Sequence, residues 1–419
     1  VLHPSFPSPI VVALAATLAA AGAAAAARGD FSLELYGDVA YAHYDHGPDQ
    51  RTGDAGAPKD SRATVDVPYV VAELTYRFRP DLFAEIEVEF EHGGTGAELE
   101  LEYEEFGEYE TEVGKGGEVL LEQFHVTKTF APPLSVRVGR FVTAVGLLNR
   151  SHLPTEFFTA TRAEEETSLL PTTWNETGLE AYGRIGTLRY RVQLVNALDS
   201  TGFSSKHWVV GGHQGRFELV RATDVAAVAR LDWTPASGLL VGGSAYRGNT
   251  TGNRPKPDME GIDANLTIAD VHGTFDAGPW RARALWLLGR LENADLVSAK
   301  NSRLSTNLGL PRTPVARGAS AWYGEVGYDV ASLLPGERGW RLYPFAHYGR
   351  YDTMAEVDAG VFADPRFERE VATAGVNLFP DESVVLKIDY SNRSFGTDRI
   401  RDEKTLRVDV GFAAELIGL

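Results

Sequence analysis

Basic side chains recur at alternate positions in several apolar segments of this 419-residue chain. "LRYRVQLVNAL" carries Arg189 and Arg191, "WRARAL" carries Arg281 and Arg283, and "SVVLKIDYSNR" carries Lys387 and Arg393. In an extended chain successive side chains point to opposite faces, so each segment has one apolar and one charged face. The same parity adds Arg137, Arg230, Arg341 and Arg407, with the acids Glu180, Asp232, Glu325, Asp329, Asp389 and Asp409. In segment 82–92, Ile86, Val88 and Phe90 alternate with Glu85, Glu87, Glu89 and Glu91. Rows of like groups on a wall either pair and stiffen it or set the ion preference of a passage. Arginine suits such a wall because it stays ionised and can stack or pair.

Other chemistry is sparse. No G-x-S-x-G, H-E-x-x-H, Walker A or G-x-G-x-x-G pattern occurs. The ten histidines are scattered. Ser151 and His152 adjoin in sequence, but a nucleophile needs its base brought near in space, which adjacency does not supply. No catalytic residue, metal site or cofactor is expected, and no nucleic-acid partner.

The elements that position these charges read as strands of roughly ten residues, about sixteen between 31–44 and 404–416. Connections alternate in length along the whole chain. Short turns lie at 79–81, 131–133, 186–187, 235–237, 276–278, 332–339 and 380–383. Between them lie long polar connections at 45–65, 93–117, 142–176, 198–222, 248–262, 292–317 and 352–368, and a shorter one at 396–403. All short turns then fall at one end of a meander and all long loops at the other, the asymmetry of a transmembrane barrel. Backbone groups in lipid must be paired, which requires the sheet to close. Trp233, Trp280, Trp322 and Trp340 gather near strand ends, where amphipathic rings meet a bilayer interface. The fold class expected is an all-β antiparallel barrel of about sixteen strands around an aqueous lumen. The acidic segment 97–113 either forms a hairpin above the membrane or adds two strands, making eighteen.

The longest connection, 142–176, contains Phe157, Phe158, Leu169, Leu170 and Trp174, and the acids Glu156, Glu164, Glu165 and Glu166. So many apolar groups need burial, and a loop of this length is usually functional. It is expected to fold into the barrel as a constriction, with Glu164, Glu165 and Glu166 facing Arg137, Arg189 and Arg191. A loop capping the outer rim is the other arrangement.

Composition agrees with a barrel. Mean hydropathy is -0.18, too low for a bundle of membrane helices. The one long apolar run, 10–27, is Ala-rich and ends in an A-x-A step, so residues 1–27 read as a secretory signal and 28–419 as the barrel. The absence of cysteine is compatible with an oxidising compartment. The net charge of -18 gathers partly in outer loops, where divalent cations could bridge it to anionic headgroups.

Two stretches carry a family resemblance. "LSVRVGRFVTAVGLLNRSHLP" (134–154) resembles the strand and first part of the constriction loop in Gram-negative porins of the phosphate-selective O and P type. "GVNLFPDESVVLKIDYSNRS" (375–394) resembles that family's penultimate hairpin. The chain departs from the family in reading "VTAVG" where a K-x-P-F-G step is usual, in ending on Leu419, and in its scarcity of lysine. The resemblance implies an outer-membrane porin, a homotrimer surrounded by lipid and lipopolysaccharide, that passes small hydrophilic solutes or ions by diffusion. It carries over an arginine-lined wall and not phosphate specificity. The alternatives are a substrate-specific anion channel for a phosphate-like solute or organic acid, and an outer-membrane enzyme or anchor barrel.

Overall fold

The computed structural model describes residues 30–48, 59–94, 100–101, 111–112, 118–214, 220–304, 312–336 and 338–418. Segment 1–27, expected as a secretory signal, lies outside these residues, as does most of 97–113. One antiparallel sheet holds seventeen strand segments. Two of them, Lys59–Asp66 and Tyr69–Arg79, pair with different halves of the same neighbour. They count as one strand interrupted at Val67 and Pro68, where proline has no N–H for the ladder. Seventeen minus one gives sixteen staves.

In chain order these are β1 (Asp30–Pro48), β2 (Lys59–Asp66 continued by Tyr69–Arg79), β3 (Leu82–Glu91), β4 (Glu118–Ala131), β5 (Leu134–Val142), β6 (Asn175–Ile185), β7 (Leu188–Asn196) and β8 (Val225–Ala236). They continue with β9 (Leu239–Asn249), β10 (Asn265–Ala277), β11 (Trp280–Leu291), β12 (Gly318–Tyr328), β13 (Arg341–Glu356), β14 (Glu368–Asp381), β15 (Val384–Phe395) and β16 (Glu403–Gly418). Each strand pairs with the next, and β16 pairs with β1 from Ser32↔Gly418 to Asp45↔Lys404, which closes the barrel. The acidic segment adds no stave. Its Glu100–Leu101 and Thr111–Glu112 pair only with each other, apart from the main sheet. The strand count is therefore sixteen and not eighteen.

The faces follow the alternation. Val192, Leu194, Ile388, Tyr390, Leu406 and Val410 are exposed outward, while Gln193, Lys387, Asp389 and Asp409 on the same strands are buried inward. Aromatic pairs mark the outer surface, Trp280 with Tyr328 at 4.8 Å and Trp322 with Tyr348 at 5.6 Å. The chain enters β1 and leaves β16 at the end that carries the short turns. At that rim Asp329 departs from the expected lumen position. Its Oδ1 accepts from the Ala331 and Leu342 N–H groups, so it caps a turn. Arg341 also lies at the rim, paired with the exposed Glu382.

Candidate functional site: a loop inside the barrel

The connection after β5 runs into the lumen and returns to β6. Its first turn uses Gly146 at φ +76°, a left-handed conformation, and a Cβ there would collide with the Glu166 carboxylate. The chain is then bonded to inward-facing groups around much of the wall. Gly146 donates to Asp270 on β10, and its carbonyl accepts from Arg230 on β8. Arg283 on β11 donates to the Ser151 and Glu156 carbonyls, and Arg281 to the Thr155 carbonyl. Phe158 N–H donates to Glu325 on β12, and Ala160 N–H to Asp389 on β15. Lys387 donates to the Phe157 and Thr159 carbonyls at 3.0 and 2.9 Å. Asn377 on β14 holds the Phe158 carbonyl.

Apolar packing accompanies these bonds. Phe158 stacks on Phe345 at 5.3 Å and packs with Tyr343, Phe379 and Val385. Trp174 is fully buried against Tyr246 at 5.0 Å, within a larger cluster that includes Leu169, Leu170 and Leu285. The aromatics of this connection thus meet the inner wall, as their burial requires.

The loop acids do not face Arg137, Arg189 and Arg191. Glu164 forks with Arg393 and accepts from Tyr351. Glu165 pairs with His347 at 3.1 Å. Glu166 accepts from the Leu147 and Leu148 N–H groups and from Tyr323. The single helical turn Glu164–Thr167 presents its carboxylates to β12, β13 and β15, across the lumen from the arginines of β5 to β7. Glu156 is exposed, and its carboxylate accepts from Leu153 N–H. Arg137 and Arg191 instead share the buried Glu180 and lie over the Tyr182 ring.

The expected wall residues therefore divide. Arg230, Arg283 and Lys387 are buried beneath the loop, and Arg393 is bound to it, so these four hold the loop and do not line open water. Arg281 is tied to Thr155 and Asp276 beside a recess of about 480 Å³ that Arg341, Phe379 and Glu156 also line. The side chains of Arg189 and Arg407 make no hydrogen bond or ion pair with another described residue.

Other groups were missed by the sequence reading. Arg150, exposed at the end of the turn Leu148–Arg150, has no side-chain partner among the described residues. Its charged neighbours are Arg191, Glu180, Arg137 and Arg230. It sits in an irregular segment where no period flags it. Glu34 on β1 and Glu73 on β2 fall on the inward parity of their strands, and that alternation could have marked them. His347, likewise inward on β13, bridges Glu165 and Glu325. Ser151 and His152 form no nucleophile–base pair: the His152 ring meets Tyr36 Oη at 3.0 Å.

Over β7 to β13 the long connections pack as a cap. Arg254 is fully buried and donates to Asp258, Ser200 and Asn301. Trp208 donates to the Ala316 carbonyl, and its ring lies where Gly289 has no Cβ. Burial pushes His207 down to about 3 and His213 down to about 4.

No family model matches the chain. An uncharacterized protein of Aquifex aeolicus strain VF5 is 24% identical over 373 residues, covering 88% of this chain and 77% of that protein. Among solved structures, the barrel resembles an anion-selective porin from Comamonas acidovorans (TM-score 0.52, 10% identity, 92% of this chain and 100% of that one). It also resembles Salmonella typhi OmpF in complex with daunomycin (0.53, 13%, 91% and 97%) and the outer-membrane channel DcaP of Acinetobacter baumannii (0.51, 12%, 92% and 97%). The fold is that of the outer-membrane β-barrels.

Proposed function

We propose that this chain is an outer-membrane porin, a water-filled channel through which ions and small hydrophilic solutes diffuse. It acts as a homotrimer in lipid and lipopolysaccharide after loss of residues 1–27. Segment 142–176 sets the narrowest point. The observation that carries the reading is the contrast between an apolar exterior and a lumen in which the loop covers one side and leaves acidic and basic side chains uncovered on the other. A filled anchor barrel would bury those groups, and a catalyst would converge a nucleophile and base or a metal set. Among the described residues no group of three or more His, Cys, Asp or Glu is placed to hold a metal ion.

Purified protein in planar bilayers tests this. The expected result is discrete ohmic steps, larger after deletion of 151–160. An absence of steps, or steps unchanged by the deletion, would overturn it. A specific anion channel is the second reading, favoured by the grouping of Arg137, Arg150 and Arg191. Reversal potentials in a salt gradient separate the two, since the general porin gives weak selectivity of either sign.

A further inference from the structure

The uncovered part of the wall has an unusual arrangement of charge. On β16, β1, β2 and β3 the residues directly opposite one another are Glu415↔Glu34, Glu34↔Glu73 and Glu73↔Glu87. Directly opposed like charges destabilise a sheet. Glu87 is satisfied by Tyr36 and Gln123. Glu34, Glu73 and Glu415 have no side-chain partner among the described residues. Glu85, next along β3, is held by His125 at 3.0 Å.

Beyond β4 the sign reverses. Arg137 on β5 and Arg191 on β7 flank the one acid Glu180 of β6, while Arg230, opposite Arg191, is buried beneath the loop with Asp232. Arg150 of the loop has Arg191, Glu180 and Arg137 among its charged neighbours. Arg137 and Arg191 are held over Tyr182 at 5.3 and 4.8 Å, so their planes are fixed. The two strips adjoin across β4, where His125 stands opposite Glu85 of β3 and Thr127 stands opposite Arg137 of β5.

We propose that this strip is a two-sided site for compact zwitterions bearing one ammonium and one carboxylate. The ammonium lies on Glu34, Glu73 and Glu85, and the carboxylate on Arg150 and Arg191. A simple cation is drawn to the first side and repelled by the second, and a simple anion the reverse. A dipolar solute relieves both rows of like charge at once. The inference rests on the channel reading and names its solute class.

Uptake into proteoliposomes of three probes of equal length tests it, each corrected for empty vesicles. They are 4-aminobutanoate, succinamate and 4-aminobutanamide: zwitterion, anion and cation. The zwitterion should enter roughly two- to fivefold faster than either, the scale of solvent-exposed charge contacts. Arg150→Gln and Glu73→Gln should each remove that preference while leaving all three probes permeant. Equal rates for the three probes would overturn the proposal, as would a fastest anion or cation. Preference that survives both substitutions would overturn the assignment to these residues. Entry of no probe at all would sink the channel reading itself, a result distinct from the others.

Discussion

The two sides of the lumen use the same kinds of side chain in opposite ways. Over β8 to β15, four inward cations are covered and matched to the loop: Arg230 to Gly146, Arg283 to Ser151 and Glu156, Lys387 to Phe157 and Thr159, and Arg393 to Glu164. From β16 through β7, Glu34, Glu73, Arg150 and Arg189 have no such match. An ionised group removed from water must be paired or it destabilises the fold, whereas one left in water needs no partner. Burial therefore turns a charge into an anchor, and exposure leaves it free to act on a solute.

Substitutions on the covered side should damage structure. Lys387→Met removes the donor to two loop carbonyls and leaves the buried Asp409 without its nearby cation. The expected cost is about 3–5 kcal/mol. It should appear as lower thermal stability of the barrel and as noisy channel current. Trp174→Ala opens a cavity beside Tyr246 and should cost about 3–5 kcal/mol. Here the readout is larger conductance as the loop loosens, with the strand content unchanged by circular dichroism. Glu164→Gln should cost less, on the order of 1–3 kcal/mol, because Arg393 keeps Glu403. Restoration of a quiet current by pairing it with Arg393→Gln would mark the two as coupled.

Much of this was legible in the chain. Strict alternation in segments such as 384–395 fixed which residues face inward, because a half-buried strand has a period of two. The alternation of short and long connections placed both ends of the sheet at the rim that carries the short turns. The partners of Glu164, Glu165 and Glu166 were not legible. Their orientation depends on how a single helical turn sits inside a closed wall, and no local period encodes that. Arg150 was hidden for the same reason. Proline at position 68 explains why β2 is interrupted, yet the length of β1 beyond Tyr44 had no local signal.

The outer cap offers a weaker contrast. His213 and His207 are held near 4 and 3 by burial, below their unfolded value of about 6.5. Each stabilises the neutral packed cap fully above about pH 6.5. That contribution is lost as pH falls from there toward 4, because the unfolded form binds the proton first. Hydrogen-exchange protection in residues 198–213, corrected for the intrinsic rate at each pH, should therefore fall between pH 6 and 4, and His213→Gln should flatten the change. On the uncovered side, Arg150→Gln should alter stability by less than about 0.5 kcal/mol. Its effect should be a shift of reversal potential toward cations.

The most direct test exploits the absence of cysteine from the chain. Single variants Glu73→Cys and Arg191→Cys on the uncovered side, and Thr373→Cys beneath the loop, would be recorded in bilayers while a charged thiol reagent is added. Thr373 is buried and bonded to Ser391, so its position should stay silent. Reaction at positions 73 and 191, with a stepwise fall in current, is the predicted result. Rapid reaction at 373 with silence at 73 and 191 would contradict the account, because the passage would then run on the side assigned to the loop.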